Sequence, residues 1–64
     1  MIKNEELGAK IKGKRISLLL TQKEVAQAVG LDISIISHIE KGFMFTDMVS
    51  TQKVCKYLGV EYEK

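Results

Sequence analysis

The sequence predicts a compact all-α domain of four to five helices that occupies residues 1–64 as a single unit. Proline is absent, and glycine or helix-capping residues divide the chain into four segments of helical length. Within these segments apolar residues recur at the spacing of a buried helix face. A chain this short has a small core, and the lone Cys55 cannot form an internal disulfide. We therefore expect stability to come from helix packing or from self-association.

The first helix is predicted over residues 5–19. Asn4 is its N-cap, and two acidic residues follow in the first turn, where the helix dipole favours them. The buried stripe is predicted from residues spaced by four and seven positions, which are Leu7, Ile11 and Leu18. Gly8 and Gly13 weaken this helix by up to about 1 kcal/mol each relative to alanine.

The second helix begins with the clearest local signal in the chain. Residues 21–24 form a capping box, in which the Thr21 hydroxyl accepts from the Glu24 N–H and the Glu24 carboxylate accepts from the Thr21 N–H. Gly30 follows at the position where a left-handed conformation ends a helix. The buried face of this helix is predicted to be Val25, Ala26 and Val29.

The third helix is predicted to run from its N-cap, Asp32, to about Lys41, immediately before Gly42. Ile36 and Ile39 are its inward positions. The opposite, outward face then carries Ile33, Ser34, Ser37, His38 and Lys41.

The fourth helix is predicted over residues 48–58, with Asp47 as its cap and Gly59 at its end. Its inward residues are Val54, Cys55 and Leu58. Residues 42–46 are predicted to be a loop, and residues 60–64 are too few for a fifth helix of ordinary length.

Residues 22–41 combine two short helices across a tight glycine turn, with Ala26 where the helices must approach closely. This is a helix-turn-helix, and a polar outer face on its second helix suits the major groove of DNA. The full pattern is Arg15-x5-Thr21-Gln22-x2-Val25-Ala26-x3-Gly30-x5-Ile36-Ser37-x-Ile39-Glu40-Lys41-Gly42, followed by the ending Val54-Cys55-Lys56-Tyr57-Leu58-Gly59-Val60. It closely resembles the Cro/repressor-type (XRE-like) helix-turn-helix family of phage and bacterial regulators over residues 7–60.

The resemblance implies a repressor-like fold and a sequence-specific DNA-binding transcriptional regulator, most simply a repressor. It also implies an ion pair between Arg15 and Glu40, which would account for a single arginine among nine lysines. The chain departs from the family at four places. Ile33 replaces a polar residue, Thr51 replaces a buried leucine, residues 43–45 are apolar in a loop that is normally polar, and the fifth helix is a stub.

The candidate base-reading residues are Gln22, Ile33, Ser34, Ser37 and His38, and for Gln22 the resemblance implies a phosphate or a base contact. Hydroxyl and imidazole groups both donate and accept hydrogen bonds, and Ile33 suits a thymine methyl group. The alternatives are a solvated polar face on the third helix, an ordinary first-turn position for Gln22 and simple partial exposure for Ile33.

The candidate phosphate contacts are Lys10, Lys14, Thr21, Lys23 and Lys41. The net charge is only +2, but lysines cluster on the first helix, and Lys10 and Lys14 lie on one face. A solvated face is an equal alternative for Lys12.

We expect a homodimer, because a short chain without a disulfide has little core and residues 43–45 cannot all point inward. The predicted interface is Phe43, Met44, Phe45, Leu58, Val60 and Tyr62. In one alternative Met44 and Phe45 complete the core of the monomer. In another, the chain is a helix-turn-helix-derived module that binds another regulator or a toxin through residues 43–45.

Other classes of function find little basis in the sequence. We find no catalytic constellation or phosphate-binding loop, and one cysteine with one histidine cannot hold a structural zinc ion, so neither an enzyme nor a metal or other cofactor is expected. There is no apolar segment of signal-peptide type or of membrane-spanning length, so we expect a cytoplasmic protein with double-stranded operator DNA as its partner.

Overall fold

Four helices form the domain in the computed structural model, which describes residues 2–44 and 49–61. In chain order the elements are β1 (Ile2–Lys3), α1 (Glu5–Ser17), α2 (Gln22–Val29), α3 (Ile33–Glu40), β2 (Phe43–Met44) and α4 (Val49–Leu58). The predicted all-α, repressor-like fold is confirmed, with one pair of two-residue strands added to it.

The helix caps explain why these segments fold where they do. The Asn4 side chain accepts from the Leu7 N–H at 3.1 Å and starts α1. The capping box of α2 is complete, with Glu24 N–H to the Thr21 hydroxyl at 3.0 Å and Thr21 N–H to the Glu24 carboxylate at 2.9 Å. Gly30 ends α2 in the left-handed region, at φ 72°. All three caps are as predicted.

The cap of α3 differs from the prediction. Asp32 occupies the N-cap position with an extended backbone, but its side chain makes no capping hydrogen bond. The start of α3 is therefore set by the turn from Gly30 and by burial of Ile36 rather than by the aspartate side chain.

The end of α1 also corrects the prediction, because the helix stops at Ser17 rather than at Leu19. Leu18 is exposed and does not belong to the buried stripe. The chain instead turns at Leu19, in the left-handed region at φ 59°, and brings Leu20 against the core. The Leu20 carbonyl accepts from the Arg15 guanidinium at 2.8 Å, which holds the turn in place.

The core lies where the four helices meet. Its buried apolar members are Leu7, Ile11, Val25, Ala26, Ile36, Ile39, Val54, Cys55 and Leu58. Thr51, which stands where the resemblance implies a leucine, is also fully buried. Val29 and Ile35 pack against this core from its edge.

The segment after α3 is not the loop that the sequence predicts. Phe43–Met44 pairs antiparallel with Ile2–Lys3, in the register Ile2 to Met44 and Lys3 to Phe43. Gly42 makes the turn at φ 98°, and a Cβ atom there would lie 2.8 Å from the Glu5 Cα. The sequence did not predict this strand pairing, because a two-residue strand is too short to show an alternating pattern of apolar and polar residues.

The C-terminal part of the chain follows the prediction where it is described. Residues 59–61, the described residues after α4, are not helical. The predicted cap Asp47, and Met48 at the predicted start of the fourth helix, lie outside the described residues. None of the helices in residues 2–44 and 49–61 is long and apolar enough to cross a membrane.

Candidate nucleic-acid interface

The outer face of α3 carries most of the predicted base-reading residues. Ile36 and Ile39 are fully buried on the inner face and fix the helix against the core. Positions three or four residues apart then share the outer face. It carries Ile33, Ser34 and His38, which are exposed, the half-buried Ser37 and the exposed C-cap residue Lys41. The structure thus brings together four of the five predicted base-reading residues, with one lysine beside them.

A buried carboxylate joins three helices behind this face. Glu40, at the end of α3, accepts from Arg15 Nε at 2.5 Å and from Arg15 Nη2 at 3.1 Å. It also accepts from the Gln22 side-chain amide at 3.1 Å. The Glu40 side chain is 3% exposed and that of Arg15 12%, so the ion pair is largely removed from water. The two residues expected to pair are therefore in two-pronged contact.

The contacts of Glu40 determine how α2 and α3 are oriented. Arg15 engages both the Glu40 carboxylate and the Leu20 carbonyl, so it links α1 to α3 and to the turn before α2. Gln22, the first residue of α2, reaches the same carboxylate. A buried carboxylate with several charge-assisted hydrogen bonds has one well-defined position. The start of α2 is consequently tied to the end of α3.

Gln22 differs from the other predicted base-reading residues because it lies on α2 and one of its amide N–H groups donates to the buried Glu40 carboxylate. The structure therefore gives it a structural contact that the sequence did not suggest. Its amide carbonyl is still an acceptor, as in any glutamine.

The predicted phosphate contacts lie on the surface but are not gathered at one point. Lys14, Thr21, Lys23 and Lys41 are exposed, and Thr21 uses its hydroxyl as an acceptor in the capping box. A hydroxyl that accepts one hydrogen bond can still donate another to a phosphate. Lys10 is exposed too, with its ammonium 3.7 Å from the Glu6 carboxylate one turn earlier on α1.

One contact at the C-terminal end of α3 was missed by sequence reasoning. The His38 imidazole meets the Phe43 ring edge to face, with centroids 6.5 Å apart and planes at 80°. The Lys3 ammonium lies 5.4 Å from the centroid of the same ring. This arrangement depends on the pairing of β1 with β2, for which the sequence has no readable signal.

The structure corrects the predicted dimer interface at Leu58. That side chain is 3% exposed and belongs to the core of the monomer, so it has almost no surface for a second chain. Phe43 and Val60 are half-buried, and Met44 lies in β2. Phe45 and Tyr62 lie outside the described residues.

Two exposed apolar residues on α4 were missed as candidates for an interface, namely Val49 and Tyr57. Tyr57 is half-exposed and lies three positions before Val60. Its exposure followed from helical spacing, since Val54, Cys55 and Leu58 take the inward positions.

Cys55 has the environment of a core residue. It is 2% exposed, and burial raises the pKa of its thiol above the ordinary value. A thiol with a raised pKa is a poor nucleophile and a poor metal ligand at neutral pH. The part of the chain that the structure describes contains no group of three side chains able to hold a metal ion.

The fold and the exposed face of α3 define a helix-turn-helix domain of the DNA-binding type. A family model described as helix-turn-helix matches residues 11–64, and the chain belongs to this family, in its Cro/repressor-type (XRE-like) form. Its general class is accordingly that of a DNA-binding regulator. No curated protein matches the chain.

Proposed function

We propose that the protein is a sequence-specific transcriptional regulator, a repressor, that inserts α3 into the major groove of an operator. The observation that carries this proposal is the contrast between the two faces of α3. Its inner face is fixed by Ile36, Ile39 and the buried carboxylate of Glu40, while its outer face is exposed and carries hydrogen-bonding side chains. A rigid helix with such a face fits the groove in width and chemistry.

The outer face supplies three kinds of contact in this proposal. Ser34 and His38 hydrogen-bond to base edges, and Ser37 meets an edge or a phosphate. Ile33, 46% exposed, contacts a thymine methyl group, one of the few apolar features of the groove. Gln22, at the start of α2, either accepts a hydrogen bond from a base edge through its amide carbonyl or contacts a phosphate.

Backbone contacts set the register of the domain on DNA. The N-terminus of α2 presents a partial positive charge, with the Thr21 hydroxyl and the Lys23 ammonium close in sequence. Lys10 and Lys14 on α1 and Lys41 after α3 complete the proposed set. Lys10 must exchange its Glu6 partner for phosphate, which costs little because both side chains are exposed.

We propose a homodimer on a palindromic operator, because two recognition helices about 34 Å apart read successive turns of one DNA face. The support is the exposed apolar surface of Tyr57 and the partial exposure of Val60 near the end of the described chain. Met44, Phe45 and Tyr62 remain part of the proposed interface. A bound dimer represses by occupying the operator.

Repression by DNA binding has more support than the alternative of a protein-interaction module at residues 43–45. Phe43 is half-buried, and its ring is engaged with His38 and Lys3 inside the chain. Less apolar surface is therefore available at Phe43 than the sequence suggested. We place the protein in the cytoplasm and assign it no catalytic reaction or cofactor.

Selection from a random pool of double-stranded DNA tests this function. We expect enrichment of one palindromic sequence, with affinity that falls steeply as salt is raised because lysines displace counterions from phosphates. DNA binding without an enriched sequence would contradict the sequence specificity that we propose. No binding at low salt would contradict the function as a whole.

Sedimentation at micromolar concentration tests the dimer. The wild type is expected to be a dimer, at least on the palindromic site, and Tyr57→Ser to weaken it. The matched control is Lys53→Ser, an exposed polar position on the same helix. A wild type that is monomeric both free and on the complete palindromic site would contradict the proposed dimer. If Tyr57→Ser leaves the dimer unchanged, the interface does not involve the exposed face of α4.

A further inference from the structure

We propose that the β1–β2 ladder belongs to the DNA interface. Lys3 contacts a backbone phosphate beside the base pair read by His38, and the ring of Phe43 holds both side chains in position. This inference rests on the DNA-binding function proposed above. It adds one phosphate contact and one positioning residue to that function.

The register of the ladder sets Lys3 against Phe43. The two residues are direct partners in the antiparallel pair, so their side chains leave the same face. The Asn4 N–H donates to the Gly42 carbonyl at 2.6 Å and continues the pairing toward α1. Only two residues separate α3 from β2, so the ladder lies at the C-terminal end of the recognition helix.

The Phe43 ring contacts a candidate base-reading side chain and a cation at once. Its edge-to-face contact with the His38 imidazole, at 6.5 Å between centroids, is within the range of attractive aromatic pairs. The Lys3 ammonium at 5.4 Å is within cation–π distance. The ring thereby restricts the orientation of the imidazole, and base readout needs a side chain of defined orientation.

The same distances place Lys3 within reach of the DNA backbone. Together the two contacts keep the ammonium within about 12 Å of the imidazole, which is about the width of the major groove. Phosphates border that groove on both sides. When His38 meets a base edge, the flexible lysine stem can therefore reach a phosphate.

Among the described residues, Glu5 competes for Lys3 in the free protein. The Lys3 ammonium lies 3.2 Å from the Glu5 carboxylate, and the two side chains are 57% and 73% exposed. Exposed ion pairs contribute little, whereas a phosphate contact releases condensed counterions. We therefore expect DNA to displace Glu5 from Lys3.

The first arm of the test measures affinity against salt for the full chain on the DNA site selected by the wild type. Lys3→Gln should weaken binding to all sequences alike and reduce the log–log salt slope by about 0.9. Glu5→Gln should have the opposite effect on affinity. It should tighten DNA binding, because a negative charge beside the phosphate is removed. Lys53→Gln, on α4, is the matched control and should leave the slope unchanged.

The second arm examines Phe43→Leu, which keeps an apolar side chain and removes the ring. The preference for the selected base pair at His38 over its alternatives should fall about five- to tenfold. The loss should be much smaller when His38→Ala is already present, because positioning acts only through the imidazole. In the DNA-free protein, NMR shifts of the imidazole protons should move in Phe43→Leu, since the ring current is lost.

The outcomes separate this inference from the proposed function. An unchanged salt slope in Lys3→Gln, or an unchanged base preference in a folded Phe43→Leu, overturns the inference while the wild type still binds DNA. Because Lys3 is exposed, Lys3→Gln decides the matter even if Phe43→Leu unfolds the domain. A wild type that binds no DNA overturns the proposed function and this inference together.

Discussion

At the scale of single residues, the Arg15–Glu40 ion pair connects stability with the geometry of the interface. Glu40→Ala leaves a guanidinium that is 12% exposed without its carboxylate and releases the Gln22 amide. The expected loss in the free energy of unfolding is about 3 kcal/mol, measured by urea denaturation. The control, Glu6→Gln, breaks an exposed pair and removes a first-turn charge that the helix dipole favours, and it should cost about 1 kcal/mol or less. Equal losses in the two variants would show that burial of Glu40 is unimportant.

Leu19 offers the opposite case, in which a substitution should stabilise the domain. Its backbone is left-handed at φ 59° and its side chain is 89% exposed, so the conformation is strained and little apolar contact offsets the strain. Leu19→Gly is expected to raise the free energy of unfolding by about 0.5–1 kcal/mol after the entropy cost of glycine. Leu18→Gly is the matched control, because its φ of −91° is ordinary, and it should destabilise. A lower free energy of unfolding in Leu19→Gly would contradict the claim that the backbone of Leu19 is strained.

Single residues also show which features could be predicted from the sequence. The Thr21–Glu24 capping box and the left-handed Gly30 were predictable because each depends on residues adjacent in the chain. The contact of Gln22 with Glu40 was not predictable, since it joins the start of one helix to the end of another. Leu19 was missed because a leucine carries no signal for a left-handed backbone.

At the scale of elements, two glycines of α1 have opposite roles. A Cβ at Gly8 would lie 2.7 Å from the Ile39 carbonyl oxygen and 2.8 Å from that of Glu40, so this glycine lets α1 approach the end of α3. A Cβ at Gly13 would meet nothing within 4 Å. The first glycine is required by packing, whereas the second only weakens the helix.

Alanine substitution at these two positions tests that difference within one helix. Gly8→Ala should destabilise by about 1–3 kcal/mol, because backbone atoms must move apart. Gly13→Ala should stabilise by up to about 1 kcal/mol, because it improves helix propensity without a clash. Urea denaturation of both variants gives the comparison, and a stabilising Gly8→Ala would contradict the close approach of α1 and α3.

The helices themselves were largely predictable, and the strands were not. Buried positions at helical spacing, such as Ile36 with Ile39 and Val54 with Leu58, located the core correctly. The β1–β2 pairing joins residues 2–3 to residues 43–44, and nothing local in either pair indicates a partner forty residues away. The assignment of residues 43 and 44 to a loop failed for this reason.

At the scale of the whole molecule, Cys55 reports on the integrity of the fold. The side chain is 2% exposed, and burial raises the pKa of its thiol, so alkylation requires the domain to open. We expect the thiol to react slowly in native buffer and rapidly in urea, with a native rate that increases in Glu40→Ala and decreases in Leu19→Gly. Rapid reaction in the native wild type would contradict the packing of α4.

The fold of the whole molecule follows from the sequence more directly than its interface does. Burial and helical spacing fix the helices, side-chain caps add to this at the starts of α1 and α2, and the outer face of α3 follows from which residues are buried. The residues that contact a second chain or DNA cannot be predicted from the sequence in the same way, because exposure of a side chain does not specify its partner. Leu58 illustrates this limit, since helical spacing correctly placed it inward and its assignment to an interface was wrong.

The central claim, that the outer face of α3 reads bases, is tested most directly by comparing three variants on selected and unrelated DNA. His38→Ala and Ser34→Ala are expected to lose roughly 1–3 kcal/mol of affinity for the selected site at the matching base pair and to keep their nonspecific binding. Lys14→Ala is expected to weaken all sequences about equally and to reduce the salt slope by about one unit. The same uniform loss in all three variants would contradict base reading by α3.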